Sequence, residues 1–317
     1  MLVAMFYRLT VIKLLYCING KLGFFLWKIP QKRFDNWRYY MHAQIEKARI
    51  FQQLHGREGA FIIPNPWDIG SARLLALLGF EALASTSAGY AFSRGLQDGA
   101  IGREQMMTHL TELAAATDLP LSADLENGFG DAPEIVAETI RLAALTGIVG
   151  GSIEDASGQR DAPIYPLELA VERVRAAVEA VAELDFPFML TARAENYLHG
   201  RSDLTDTIKR LQAYQDAGAD VLYAPGLKTR EEITAIVSAL DKPVNVVMGL
   251  QGVQLSLKEL AQIGVKRVSV GGSLARAALG AFLRAAEEMR EHGTFSYGNQ
   301  AIGTRQIGEM LHAASKL

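Results

Sequence analysis

The sequence predicts an α/β fold: a single (β/α)8 barrel with additional helices at its N- and C-terminal ends. Three features point there. From residue 41 onward, eight short β-rich runs alternate with helix-patterned stretches, and no linker or low-complexity tract divides them. Strand–helix–strand units enforce parallel pairing and right-handed crossovers, and an unbroken series of eight closes into a barrel rather than an open sheet. A length of 317 residues and an apolar content of 49% suit one large core of this kind.

The elements follow in order. Residues 43–54 read as an opening helix, and the apolar run 61–63, ended by Pro64, as the first strand. Residues 71–78 are helical, and Gly79 closes them. Strand two is 82–85 with helix 103–117 after it; strand three is 121–124, followed by helix 133–145 with Pro133 in its first turn. Strand four, 151–153, leads to the amphipathic helix 166–182, and strand five, 188–192, to helix 204–217, closed by Gly218. Strand six is 221–223 with helix 230–240, strand seven 244–247 with helix 257–263, and strand eight 267–270 with the long helix 274–290. The helix at 43–54 and whatever follows residue 290 are extra to the barrel, and residues 41–317 are read as one domain.

Residues 1–40 differ from the rest. They carry seven Lys or Arg against the single acid Asp35, a net +6 that leaves −9 for residues 41–317. The segment is aromatic-rich and lacks helix or strand periodicity. It is expected to be poorly ordered or to lie upstream of the true product, for which Met41 is a natural start. Arg8, Lys13 and Lys21 interrupt its apolar runs, so none approaches the roughly 18 residues needed to cross a bilayer. No small-residue cleavage site marks a secretory signal. Cys17 is the one cysteine, which leaves residues 41–317 without a disulfide, a zinc–thiolate site or a cysteine nucleophile. These features fit a cytoplasmic enzyme without stable membrane insertion. A net charge of −3 argues against nucleic acid as a partner.

A barrel places its chemistry at the C-terminal ends of the strands, in the loops that follow. Strand one runs into Asn65, Trp67 and Asp68, and strand two into Ser85-Thr86-Ser87-Ala88-Gly89. Strand three ends in Asp124-Leu125-Glu126-Asn127-Gly128, strand four in Glu154-Asp155, and strand five in Arg193 and Glu195. Asn245 lies in strand seven, and Gly271-Gly272-Ser273 follows strand eight. Asp124, Glu126 and Glu154 come from adjacent strand ends. Each alone reads as well as a solvated loop acid or a partner of Arg193. Together, three carboxylates raise one another's pKa unless a cation joins them. Oxygen ligands without His or Cys suit Mg2+, with Mn2+ as a substitute, rather than zinc. Arg193 is placed to clamp a substrate carboxylate or to balance these acids. The small residues at 85–89 let backbone N–H groups approach an anionic oxygen, or simply make a tight loop. On pattern alone Asp98 reads as a turn aspartate. Gly271-Gly272-Ser273 reads as close packing or as a phosphate-binding helix start. His199 and Tyr165 read as solvated loop residues with acid–base capacity.

Taken in this order and spacing, the motifs resemble the isocitrate lyase/phosphoenolpyruvate mutase superfamily, in its small mutase-like branch, over roughly residues 42–290. The matching stretches are Asn65-Pro66-Trp67-Asp68-Ile69-Gly70-Ser71-Ala72-Arg73, the run 85–89, Asp124-Leu125-Glu126-Asn127-Gly128-Phe129-Gly130, Ser152-Ile153-Glu154-Asp155 and Thr191-Ala192-Arg193. The resemblance implies cleavage of a C–C or C–P bond in a small 2-oxo or 2-hydroxy carboxylic acid, through a pyruvate enolate bound to Mg2+. It implies metal binding by Asp124, Glu126 and Glu154, partly through water, and capture of the substrate carboxylate by Arg193. Thr86 and Ser87 would supply backbone N–H groups, Asn245 would join them in binding substrate, and Asp98 would have a catalytic role. It also implies a homo-oligomer, dimer or tetramer, that exchanges its last helices between subunits.

The departures from the family pattern are informative. After strand four the chain reads Ala156-Ser157-Gly158-Gln159-Arg160-Asp161-Ala162-Pro163-Ile164-Tyr165. Isocitrate and methylisocitrate lyases carry a Lys-Lys/Arg-Cys-Gly-His loop there, and mutases a Lys after Glu-Asp and a Lys-x-Asn-Ser run. A lyase, decarboxylase or hydrolase with another small oxo acid fits better. The alternatives are phosphonopyruvate hydrolysis or a phosphoenolpyruvate or carboxyphosphonoenolpyruvate mutase reaction, and a barrel that binds metal and oxo acid without turnover. A Schiff-base aldolase would need a lysine on an inward strand position, whereas Lys228, Lys242 and Lys266 fall outside the strands.

Overall fold

The computed structural model describes the backbone of residues 11–18, 21–28 and 31–316, and side chains from residue 42 to 316. The chain divides into two compact units, residues 1–46 and 47–317. In the first, β1 (Val11–Ile18) pairs antiparallel with β2 (Lys21–Lys28), Val11 opposite Lys28 and Ile18 opposite Lys21. Helix α1 (Gln31–Gly56) follows and runs on into the second unit. These elements fall in a stretch whose sequence shows no helix or strand periodicity, and the opening helix starts twelve residues before the expected position 43. The missed signal is Asn19-Gly20 between two apolar runs, the dipeptide that two-residue hairpin turns favour. What was expected of residues 1–10 lies outside the described residues.

The second unit is the barrel. Its strands are β3 (Phe61–Ile63), β4 (Leu83–Ala84), β5 (Leu121–Asp124), β6 (Gly150–Glu154), β7 (Met189–Arg193), β8 (Val221–Tyr223), β9 (Val244–Val247) and β10 (Arg267–Ser269). The sheet order is β3-β10-β9-β8-β7-β6-β5-β4, parallel throughout. The seam between β3 and β4 is narrow: Ala84 N donates to Pro64 O at 3.1 Å. Asn65 latches it, because its Nδ2 donates to Ser85 O at 2.8 Å while its Oδ1 accepts from the backbone N–H groups of Val270 and Gly271, each at 2.9 Å. One buried side chain thus ties together the loops after the first, second and eighth barrel strands.

The outer helices are α2 (Ile69–Leu77), α4 (Arg103–Ala116), α5 (Pro133–Ala144), α6 (Leu167–Ala182), α7 (Leu204–Asp216), α8 (Arg230–Ser238), α9 (Leu257–Ile263) and α10 (Ser273–His292). A short α3 (Ser87–Ser93) precedes α4, a 3-10 turn spans Ser296–Asn299, and α11 (Thr304–Ala314) ends the described chain. Asp68, Thr229 and Ser256 each close a capping box, which satisfies N–H groups that a helix start leaves open. Helices α5 and α6 bury mainly apolar residues at helical spacing, with Arg173 among those of α6, while α7 buries Thr207, Arg210, Leu211 and Tyr214.

The N-terminal end of the barrel is plugged. Phe51 and Leu54 of α1 pack with Phe61, Val149, Met189 and Val221, residues at or near the starts of their strands. Gly150 makes room for this plug, since a Cβ there would lie 2.9 Å from the Phe51 ring and 2.8 Å from Met189 O. With that end sealed, access to the interior is from the C-terminal mouth.

Candidate active site

A cavity of about 900 Å3 opens at the mouth, and Ser87, Asp98, Asp124, Glu126, Glu154 and Arg193 all line it. Asp124 ends β5, Glu154 ends β6 and Arg193 ends β7; parallel register sets Glu154 directly opposite Arg193. The Arg193 guanidinium lies 2.9 Å from Asp124 Oδ1, 3.0 Å from Glu154 Oε2 and 2.8 Å from Glu195 Oε1, with its carbon 5.2 Å above the Tyr223 ring. Burial alone would lower its pKa, but Glu195, Glu154 and Asp124 hold it well above the ordinary value. Burial raises the pKa of Glu154, against the pull of Arg193, and that of Glu195 likewise.

Ser87 fastens Asp124 from the other side. Its backbone N–H and its hydroxyl contact Asp124 Oδ2 at 3.0 and 2.9 Å. The run 85–89, expected as a loop of small residues, is the start of α3: Thr86 is its N-cap, and its hydroxyl accepts from Gly89 N at 3.2 Å. The expected N–H donor at Ser87 exists, and here it serves Asp124. Gly89 is required by close packing, since a Cβ there would meet Thr86 Cγ2 at 2.6 Å and Ala275 at 3.3 Å. At Gly272 a Cβ would lie 3.3 Å from Ala88, a close approach of this turn to α3, and both Gly271 and Gly272 line the cavity.

Asp98 stands at the rim with its carboxyl turned onto Ser87 Oγ at 3.1 Å. One hydroxyl proton serves only one acceptor. With that proton on Asp124, the second contact is satisfied when Asp98 itself carries a proton, and burial followed by the Asp124 charge raises its pKa in that direction.

Glu126 sits in the loop after β5 with φ +49, a left-handed conformation that non-glycine residues rarely adopt. Its Oε1 is buried without a hydrogen-bond partner. Burial, then the Asp124 and Asp98 charges, push its pKa up to about 8. The loop itself is clamped by Arg173 of α6, whose guanidinium donates to the carbonyl oxygens of Asn127, Gly130 and Asp131 and lies 4.2 Å above the Tyr165 ring. Tyr165 donates to Asp131 Oδ1 at 2.5 Å and is 4% exposed. It is therefore a buried brace, not the solvated loop residue expected. Asp155 is also a brace, accepting from Glu195 N, Arg210 and Tyr214. His199 lies at the mouth, and the segment after β6 folds on itself through an Ala156–Ile164 bridge.

Asn245 lies deeper, 2% exposed, where its Oδ1 accepts from Arg267 at 2.9 Å and its Nδ2 donates to Ser269 at 3.0 Å. Arg267 and Arg173 are the residues the sequence reading missed. Both are ordinary charged letters within strand and helix patterns, and only packing shows them buried.

The donors fit a hard divalent cation. Five carboxyl groups, of Asp98, Asp124, Glu126, Glu154 and Glu195, line the cavity; three of them share the Arg193 guanidinium, and one buried Glu126 oxygen has no partner. Among the described residues no three His, Cys, Asp or Glu side chains are already gathered as a cage; Arg193 draws Asp124 and Glu154 onto itself instead. No lysine occurs in the eight barrel strands, and Lys266 bonds to Arg57 O and Gly59 O near the plugged end. A Schiff base has no seat in this cavity.

The comparisons with known proteins agree with this geometry. The family model for phosphoenolpyruvate phosphomutase matches residues 51–290. A Burkholderia cenocepacia protein described as a lyase/mutase shares 66% identity at TM-score 0.83, over 84% of this chain and 96% of its own. An uncharacterised protein of Mycobacterium tuberculosis is 31% identical over 222 residues, 70% of this chain and 81% of its own length. The 2-methylisocitrate lyase of Bacillus subtilis is 27% identical over 273 residues, 83% and 88% of the two chains. A barrel of this topology, its acids at the strand ends, and these matches together make the chain a member of the phosphoenolpyruvate phosphomutase family, an enzyme of the carbon–carbon lyase type within the isocitrate lyase/phosphoenolpyruvate mutase superfamily.

Proposed function

We propose that this enzyme uses Mg2+, for which Mn2+ can substitute, to cleave a C–C or C–P bond next to the carbonyl or hydroxyl carbon of a small 2-oxo or 2-hydroxy carboxylic acid. One observation carries the reading: Asp124 and Glu154 share the Arg193 guanidinium beside a Glu126 oxygen that is buried and unpartnered. Asp124, Glu126 and Glu154 would hold the ion, which when bound supplies a Lewis acid for an oxygen that gains negative charge as the bond breaks.

The protein's own groups do the rest. Arg193, with Glu195 keeping it oriented at 2.8 Å, exchanges part of its carboxylate contacts for the substrate carboxylate. Ser87 N–H fixes Asp124. Asp98, at the rim beside Ser87 and raised in pKa by burial and the Asp124 charge, is the group placed to exchange a proton with the carbon or leaving group being released. The apolar ring of the mouth, with Phe92, Ile101 and Phe129, limits water around the reacting end. The loop at 156–165 lacks the cysteine of isocitrate-type lyases, which favours a decarboxylase, hydrolase or malate-type lyase reaction over those two activities.

The test is a turnover screen with Mg2+ over oxaloacetate, phosphonopyruvate and substituted malates. One substrate class should turn over, and Asp124→Ala should lower kcat/KM by about a thousandfold or more, as removal of a group that stabilises developing charge does. Activity that survives both Asp124→Ala and EDTA would overturn the proposal.

A further inference from the structure

Beneath the acids the barrel holds a cation that, among the described residues, no carboxylate answers. Arg267 opens β10, next to the plugged end, and is 5% exposed. Its Nε donates to Asn245 Oδ1 at 2.9 Å, its Nη2 to Thr191 Oγ1 at 2.8 Å, and its Nη1 faces His55 Nε2 at 3.4 Å. All three acceptors are neutral. His55 Nδ1 lies 2.8 Å from Phe51 O, which fixes the proton there and leaves Nε2 as an acceptor. Burial, then the Arg267 charge, push the His55 pKa down to about 3, so the ring stays neutral. Burial lowers the pKa of Arg267 itself to about 10. Among the described residues no carboxylate pairs with Arg267, whereas Arg193 has three.

A guanidinium taken out of water is costly unless an anion or full hydrogen bonding compensates it. Two of its neighbours are strong neutral acceptors, and the third, at 3.4 Å, is a long one. The surroundings are also unusual for a barrel, whose interior normally carries branched aliphatic side chains. Here Ser122, Ser152 and Ser269 join Asn245 and Arg267 in lining the same cavity that opens at Asp124. A cation on a hydroxyl-lined floor, reached from the mouth, has the chemistry of an anion site.

We propose that Arg267, with Asn245 and Ser269, forms a carboxylate-binding site on the barrel floor, separate from the acid cluster above. Its occupant is either a free small carboxylate or the far carboxylate of a dicarboxylic acid whose reacting end lies at Asp124; the second source rests on the proposed function, the site itself does not. Arg193 is already compensated by its acids, whereas among the described residues no carboxylate pairs with the floor guanidinium, which leaves its charge for a second anionic group.

The experiment is thermal unfolding of the full chain in EDTA and Hepes, titrated with sodium formate at constant ionic strength. Wild type and Asp124→Asn should show a saturable rise in Tm, and Arg267→Met should show none. In formate-free buffer Arg267→Met should unfold no earlier than wild type, because an uncompensated buried charge has been replaced by an apolar chain of similar length. If that variant does not fold, Asn245→Asp provides the second reading: a carboxylate in place of the 2.9 Å acceptor should raise Tm and abolish the formate response. No saturable response in wild type, or an equal one in both variants, overturns the site while leaving the metal reading intact. With Mg2+ present, an Arg267→Met loss of about tenfold for malate but not for pyruvate, the usual size for one charge-assisted hydrogen bond, assigns the site to the far carboxylate. Equal losses beside an intact wild-type formate response assign it to a free anion.

Discussion

At the scale of the residue, Glu126 concentrates the tension of the site. It combines a backbone at φ +49, a buried oxygen without a partner and a pKa pushed up to about 8. Strain and unsatisfied polarity of this kind persist where the surrounding structure holds them for a purpose. The linkage has a definite sign. An ordinary glutamate near 4.5 that titrates near 8 when folded makes the folded state bind more protons between those values. Its contribution to stability is complete below about 4.5 and is lost as pH rises through 8. Without metal, Tm should therefore fall across that window, and Glu126→Gln should flatten the fall. Added Mg2+ should bind more tightly as pH rises and release protons on binding, which calorimetry in buffers of different ionisation enthalpy reads directly. A pH-independent Mg2+ affinity would contradict the assignment of Glu126.

At the scale of the element, the loop after β5 is held from outside. Arg173 reaches from α6 to three of its carbonyl oxygens, and Thr139 of α5 donates to Gly128 O at 2.8 Å. Gly128 at φ +81 and Phe129 at φ +61 complete a sharp reversal that only such anchoring keeps in place. Arg173→Ala should cost roughly 3 kcal/mol of stability, the scale of losing hydrogen bonds from a charged group. It should also weaken Mg2+ binding by about 10- to 100-fold, as loss of supporting contacts around metal ligands does. Urea unfolding and metal titration measure the two effects, and a variant that loses stability but keeps wild-type Mg2+ affinity would show that the clamp does not position Glu126.

At the scale of the whole molecule, α10 asks for a partner. It is 20 residues long and buries only Ala275, while Phe282 and Leu283 are 65% and 55% exposed and Phe295 just beyond it 68%. Contiguous apolar exposure of this kind marks an association surface. We propose that subunits meet there as a dimer or tetramer with exchanged C-terminal helices. Light scattering should give a multiple of the 34.6 kDa chain, and Phe282→Asp should shift it toward monomer; a wild-type monomer would refute this. Among the described residues no helix is long and apolar enough to cross a membrane.

The sequence by itself determined the barrel. The starts of its eight strands were legible to within about a residue, because each is a short apolar run between helix-patterned stretches, and the two periods, 2 and 3.6, are local properties of the chain. It also put Asp124, Glu126, Glu154 and Arg193 at one mouth, since topology alone carries strand ends to the same face. Tertiary structure decided what those side chains touch. Arg193 as the shared counter-charge of Asp124, Glu154 and Glu195, Ser87 as the brace of Asp124, Asn245 as a partner of Arg267 deep in the same cavity, and the burial of Tyr165 and Arg173 all join positions distant in sequence. A buried arginine and an exposed one are the same letter. Whether its charge is compensated depends on which neighbours the closed barrel brings within about 3 Å, and no local pattern encodes that distance.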